Sequence, residues 1–363
     1  MSTSSTVSTG KPHVVVIAGG LGHERDVSIR SGTRVVNNLR RAGMTVDMVD
    51  FDSQLMGRLE ELKPDVVFPL VHGALGEDGS LATLLTLAEI PFVGTTGAQA
   101  LPASNKASFK AICLANGLPT PPFISLSHEL FRQQGSAPLL AAVKKTLTFP
   151  LVVKPAVGGS AQGVTIVREE SDLPEAFVMA FAYCDSVIVE KFIEGRELAV
   201  SVVSFGEYDD LSQDFDVEEF LETLENSDNP DDLDAADWAG DDSGIDIRAL
   251  PIVEIVSDGP YDFDARYNPG RAEFFTPARL PEAKSEEVKA LALFVHSLFT
   301  LRHFSRTDMI VDSEGTPWVI DVNVAPGMTD TSLFPQAAHA DGTYENLLVE
   351  LVNAALEAGP VSL

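Results

Sequence analysis

Arg306, Asp308, Asp321 and Asn323 fall on two apolar runs joined by the polar turn Asp312-Ser313-Glu314-Gly315. That pattern predicts a β-hairpin. Opposite residues of an antiparallel pair have numbers with a constant sum. A turn centred between Glu314 and Gly315 therefore sets Asp308 against Asp321 and Arg306 against Asn323. Side chains alternate faces along a strand, so all four share one face. Two carboxylates, an amide and a guanidinium are costly to bury without a ligand. Hard oxygen donors of this kind suit Mg²⁺, held by one or two carboxylates together with substrate phosphates. An edge hairpin whose polar face meets water fits the same residues equally well.

Other polar clusters accompany the hairpin. Glu24, Arg25, Asp26 and Ser28 crowd the end of the apolar run His13–Ala18. A solvated helix start capped by Asp26 or Ser28 would explain them without a ligand. Gly19-Gly20-x-Gly22 lacks the full dinucleotide spacing. PLVVKP, with Lys154 at its end, leads into Gly158-Gly159-Ser160-Ala161-Gln162-Gly163 and a further strand. Strand, glycine-rich loop, strand is not a Walker loop, but it suits a flap whose backbone N–H groups fold over phosphates. On spacing alone a plain glycine hairpin fits better. Glu190 and Lys191 mark the end of the strand SVIVEKF, and Glu197 starts another.

The elements that must position these groups can be read from periodicity. His13 to Gly94 alternates strands and helices, which predicts a doubly wound parallel sheet. Ligands of such sheets sit beyond the strand ends, where the loops 19–28 and 72–79 fall. Ser104 to Asn116 reads as a helix carrying Lys106 and Lys110, and PTPPF as a linker. Helices follow at 139–147 and 176–184, strands at 186–192, 197–204 and 250–256, and a long helix near 281–301. Helices 332–340 and 344–358 close the chain. The fold class is α/β, or α+β overall.

Composition bounds the function. The 363 residues, 45% hydrophobic, suffice for two or three domains. A formal charge of −29 argues against a nucleic-acid surface or a polybasic membrane anchor. Asp209 to Asp246 holds sixteen acidic residues and no Lys or Arg, and disorder or a solvated insertion is expected there. Cys113 and Cys184 sit in apolar helix-like runs and are expected to be buried thiols. No apolar run reaches the length of a membrane span, and MSTSSTVSTGKP lacks the core of a signal peptide. A cytoplasmic protein is the expectation.

The motifs HERDVS, HGALGEDG, NKASFK, VVKPAVGGSAQGV, VEKFIEGRELAV, ARY, RTDMIVD and DVNVAPGMTDTSL occur in this order. The order resembles the D-alanine–D-alanine ligases, which are ATP-grasp enzymes of peptidoglycan synthesis. The resemblance runs from His13 to Ala358 except for the acidic insertion. It implies a tail at 1–11, an N-terminal preATP-grasp domain at 12–102, and a central lid domain with the flap at 103–195. It implies a C-terminal domain at 196–363 that carries the insertion at 207–248. The implied activity joins two D-alanines through an acyl phosphate, with ATP as a substrate and two Mg²⁺ ions, for which Mn²⁺ can substitute. A homodimer is also implied.

The resemblance assigns roles residue by residue. Lys106 and Lys154 would meet ATP phosphates and adenine-side groups, Glu190, Lys191 and Ile193 the adenine, and Glu197 the ribose. Ser160 would close the flap. Asp308, Asp321 and Asn323 match the metal ligands. Glu24 matches the carboxylate that holds the first substrate's ammonium, and His72 the group near its carboxylate. Arg306 and the backbone of Gly327 match the oxyanion site, a donor arrangement suited to acyl transfer. Ser332 matches the grip on the second carboxylate. Tyr267, beside Arg266, matches the loop tyrosine that closes onto Glu24 and Ser160 and favours an amine nucleophile. Three positions depart from the family. Asp321 stands where glutamate is usual, Arg266 where lysine is common, and Ala161 where a second serine is common. They keep open a related ligase using another D-amino acid or amine, and a non-catalytic nucleotide-binding homologue.

Overall fold

A computed structural model describes residues 11–206, 246–257, 259, 266 and 270–361. Residues 1–10, most of the acidic segment and Tyr267 lie outside the described residues.

The apolar run His13–Ala18 (β1) is buried beyond its first residue, as a parallel strand covered on both faces must be. It pairs in parallel with Thr45–Asp50 (β2) and Val66–Pro69 (β3), in the order β2-β1-β3. Pro91–Gly94, expected as a strand, contributes one bridge, Val67 to Phe92. Arg25–Arg41 (α1) follows β1, and Leu55–Leu62 (α2) follows β2. Ala74–Glu77 (α3) and Ser80–Leu87 (α4) follow β3. Gly97–Ser104 (α5) leads into Lys106–Ala115 (α6), whose Asn105 cap accepts the N–H groups of Ala107 and Ser108.

The second sheet is antiparallel. Phe123–Ser127 (β4), Leu151–Pro155 (β5), Thr165–Val167 (β6) and Ser186–Lys191 (β7) run in the order β4-β7-β5-β6. PTPPF is thus a linker only up to Pro122, since Phe123 begins an edge strand, where proline neighbours are tolerated. His128–Gln134 (α7), Ser136–Thr146 (α8) and Leu173–Phe181 (α9) pack on this sheet through Phe131, Val143 and Phe177.

The third sheet holds Gly195–Phe205 (β8), Asp246–Ala249 (β9), Val253–Ser257 (β10), Ala272–Phe275 (β11), Phe304–Asp312 (β12) and Pro317–Asn323 (β13). Its order is β11-β10-β8-β12-β13, with β9 on β8. β9 begins at Asp246, inside the stretch read as an insertion. Glu282–Leu298 (α10), Leu333–Ala340 (α11) and Tyr344–Ala358 (α12) complete the chain. In the β12–β13 hairpin Arg306 faces Asn323 and Asp308 faces Asp321, as the constant sum required. A bulge between Asp308 and Met309 then shifts the register, so Met309 faces Val319.

One core joins the first and third sheets, and a second packs α5 and α6 on the third. Val14, Val16 and Phe68 pack with Val203, Phe304, Phe334 and Leu347. Ala103, Phe109 and Cys113 of α5 and α6 pack with Val200, Met309 and Val319. At the seam Arg302 donates to the carbonyls of Phe92 and Gly94 at 2.9 and 3.0 Å, and His303 Nδ1 accepts from the Gly94 N–H at 2.8 Å. Cys113 is a buried thiol pushed up to about 12 by burial. Cys184, expected inside a helix, lies beyond the end of α9 and is partly exposed. Among the described residues no helix is long and apolar enough to cross a membrane.

Candidate active site

A cavity of about 590 Å³ opens between the second and third sheets, closed at one end by the loops after β1 and β3. Its size suits a small-molecule ligand. The site residues named from the sequence, Tyr267 excepted, all line it. The loops supply Glu24 and His72, α6 supplies Lys106, and the second sheet with its flap supplies Lys154, Ser160, Glu190, Lys191 and Ile193. The third sheet and its loops supply Glu197, Arg266, Arg306, Asp308, Asp321, Asn323, Gly327 and Ser332.

The carboxylates of the hairpin face are half-buried and each is paired with a buried cation. Arg306 clasps Asp308 with two bonds, Nε to Oδ1 at 2.6 Å and Nη2 to Oδ2 at 2.8 Å. Lys106 Nζ donates to Asp321 Oδ2 at 2.6 Å and to the Gly158 carbonyl at 3.1 Å. Burial alone would lower the Lys106 ammonium, but the Asp321 carboxylate outweighs it and holds it above the usual range. Among the described residues no three His, Cys, Asp or Glu side chains are grouped to hold a metal by themselves. Two carboxylates and an amide fit instead an ion completed by phosphate oxygens and water.

At the nucleotide end, Glu190 is buried between two lysines. Lys154 Nζ lies 2.6 Å from Oε1 and Lys110 Nζ 3.0 Å from Oε2. Burial alone would raise the Glu190 carboxyl, but Lys154 and Lys110 outweigh it and hold it below the usual carboxylate range. Lys110 also donates to Thr120 Oγ1, and burial lowers its ammonium. In the sequence Lys110 is one helix residue among others, with no sign of a role. Nothing local marks it, because its partner Glu190 stands on β7 of the second sheet, 80 positions away.

The opposite end is acidic. Ser160 hydroxyl donates to Glu24, tying the flap to the loop after β1. Ser160 and Ala161 both hold positive φ, +53° and +55°, a costly backbone for residues with a Cβ and one often kept for function. Burial raises the Glu24 carboxyl. Glu77 accepts the Gly73 N–H at 3.1 Å and also faces the cavity. Removal from water, with repulsion from Glu24, pushes the Glu77 carboxyl up to about 8. Glu77 was missed in the sequence, although its place in HGALGEDG puts it one helical turn from His72 and Gly73. Two carboxylates with a raised affinity for protons form a natural seat for an ammonium group. Burial holds the His72 imidazole down to about 4, so it is neutral at pH 7, and its Nε2 lies 3.0 Å from Ser31 Oγ.

Glu77 yields a stability prediction. A carboxyl raised in the folded state favours the protonated form, so its contribution is fully present below the unfolded pKa of 4.5 and lost as pH rises through about 8. Glu77→Gln should therefore be more stable than the parent at pH 8, with a melting temperature higher by ~2 °C or more, and the gap should close towards pH 4.5. Thermal unfolding across that range checks it, and parallel pH profiles would refute it.

The C-terminal model of the family described as D-ala D-ala ligase matches residues 112–222 and 241–353, and its N-terminal model residues 52–95. The D-alanine–D-alanine ligase of Pelotomaculum thermopropionicum is 32% identical over 346 residues, covering 95% of this chain and 96% of that protein. That of Moorella thermoacetica is 33% identical, covering 95% and 99%. The crystal structure of the Bacillus anthracis D-alanine–D-alanine ligase complexed with ATP superposes with a TM-score of 0.72 at 25% identity, covering 96% of this chain and 98% of that one.

Proposed function

The chain belongs to the D-alanine–D-alanine ligase family, and on that premise we propose how its cavity performs the reaction. The enzyme joins two D-alanines at the expense of ATP, by way of an acyl phosphate, to give D-alanyl-D-alanine, ADP and phosphate. The supporting observation is that one cavity gathers anion-binding, cation-binding and oxyanion-stabilising groups from elements spread over the whole chain.

In this reading Lys106 and Lys154 face the phosphates, Glu190, Lys191 and Ile193 line the adenine site, and Glu197 meets the ribose. Glu24, joined by Glu77, seats the ammonium of the first D-alanine beside the neutral His72. The flap then closes through Ser160, which excludes water from the acyl phosphate. Arg306 and the Gly327 N–H face the oxyanion that forms when the second amine attacks. Ser332 orients that second D-alanine through its carboxylate, and Arg266 adds positive charge nearby. Bringing the amine to the acyl carbon in one orientation supplies much of the rate. Asp308, Asp321 and Asn323 would hold Mg²⁺, which supplies neutralisation of phosphate charge.

The cytoplasm, where ATP is available, is the proposed location, with the product feeding peptidoglycan synthesis. A homodimer is proposed as well, since Leu75, Leu87 and Leu101 stand more than half exposed on the mutually packed helices α3, α4 and α5. Phosphate release from Mg-ATP over a panel of D-amino acids tests the activity, with products identified by mass spectrometry. D-alanyl-D-alanine is the expected dominant product. Turnover only with another acceptor would overturn the substrate assignment.

A further inference from the structure

One face of α1 reaches across to the loop that joins Gly327 to Ser332. Ser31 and Arg34, three residues apart, are neighbours on that face. Ser31 is fully buried, and its Oγ accepts the Met328 N–H at 3.1 Å. Arg34 Nη1 donates to the Thr329 carbonyl at 2.8 Å and reaches the Met328 carbonyl at 3.4 Å. Its Nη2 lies 2.8 Å from His339 Nε2, its Nε 3.2 Å from Asp330, and its guanidinium carbon 4.7 Å above the Tyr344 ring. Asp330 is almost wholly exposed and adds little. The loop in turn holds the site. The Thr329 N–H donates to Ser332 Oγ at 3.0 Å, and the Thr329 hydroxyl meets the same oxygen at 2.8 Å. A Cβ on Gly327 would stand 2.8 Å from Ser332 Oγ, so the two proposed acceptor-site groups are closely packed.

We propose that Arg34, supported by Ser31, is a positioning residue for the second substrate. It touches neither D-alanine. It fixes the carbonyl of Thr329, and Thr329 fixes the Ser332 hydroxyl that grips the acceptor's carboxylate. The inference rests on the ligase reading above and deepens it, because it assigns control of acceptor binding to a helix of the first sheet. Its signature is selective. Ser31 also lies 3.0 Å from His72 on the first-substrate side, whereas Arg34 bonds the loop without touching His72, so loosening the loop through Arg34 leaves ATP and the first D-alanine in place. The acyl phosphate then forms and waits. Water attacks it instead of the amine, which returns D-alanine and phosphate and wastes one ATP.

The test uses the full-length enzyme and its Arg34→Ala and Arg34→Lys variants. The wild type is measured first, and it must couple one ADP to each dipeptide. Failure to make D-alanyl-D-alanine would sink the ligase reading and this inference together. Given a working wild type, Arg34→Ala should raise the KM for the second D-alanine about tenfold or more, as small misplacements of bound groups do. The KM values for ATP and the first D-alanine should move less than about twofold. The ratio of ADP to dipeptide should rise above one. Arg34→Lys, which keeps a cationic donor, should recover part of both effects and guards against simple misfolding of the alanine variant. An unchanged acceptor KM with full coupling overturns the inference. So does a uniform rise in all three KM values that follows the loss of melting temperature.

Discussion

Asp321→Asn is expected to lower turnover on the order of 10²–10³-fold, the loss typical of removing one preorganised charge-stabilising group, while Asp321→Glu keeps or exceeds the parent rate. Asp321 and Asp308 stand opposite each other on β13 and β12, and each is neutralised by a buried cation, Lys106 or Arg306. A divalent ion held there with phosphates would satisfy both carboxylates, leaving Lys106 for the nucleotide and Arg306 for the oxyanion. Asparagine keeps the shape but loses the charge. It also strips Lys106 of the carboxylate that holds its ammonium up in a buried position. Glutamate keeps the charge and extends the carboxylate by one methylene, about 1.5 Å. The measurements are kcat and the Mg²⁺ dependence, together with calorimetry of metal binding in the presence of a non-hydrolysable ATP analogue. An asparagine variant with parent rate and parent metal affinity would remove Asp321 from the cation site.

The hairpin shows how far the sequence alone could reach. Alternation and a glycine turn were enough to pair Arg306 with Asn323 and Asp308 with Asp321. They were not enough to show the bulge after Asp308, because a bulge costs no pattern until the strands are laid side by side. Continuous apolar runs such as His13–Ala18 declared a buried parallel strand. Gly97–Ser104 concealed a helix behind a starting glycine and an internal proline, and packing of Ala100 and Ala103 on the third sheet overrides that weak propensity. Glu77 apart, whose motif position was a local signal, the groups that escaped notice in the site are of one kind. Lys110 sits 80 positions from Glu190, and Ser31 and Arg34 nearly 300 from the loop they hold. Each looks like an ordinary helix residue until the tertiary fold supplies its partner. The site residues read from motif order, by contrast, stand near strand ends and in loops, where function leaves a local trace.

Removing the Glu190 carboxylate is expected to cost about 3–5 kcal/mol of stability, the range for breaking a buried ion pair by deleting one partner. Glu190, Lys110 and Lys154 are all nearly or wholly inaccessible to water. Their mutual attraction offsets a large desolvation cost, and Lys110 is only partly compensated even so, since burial still lowers its ammonium. In Glu190→Gln two buried positive charges face each other with no counter-charge. The fold then favours neutral lysine more strongly, so the unfolded chain binds more protons and the variant gains stability as pH rises. The deficit should therefore be largest near neutral pH and shrink towards pH 10. Adding Lys110→Met to Glu190→Gln removes one of the stranded charges and substitutes an apolar chain of similar length, and it should restore about half of the loss or more. Denaturant unfolding of the two variants and the parent at pH 7 and pH 10 supplies the comparison. If Glu190→Gln falls within about 1 kcal/mol of the parent at pH 7, water or a rearranged lysine is carrying the charge, and the buried triad is not what holds the nucleotide end of the cavity together.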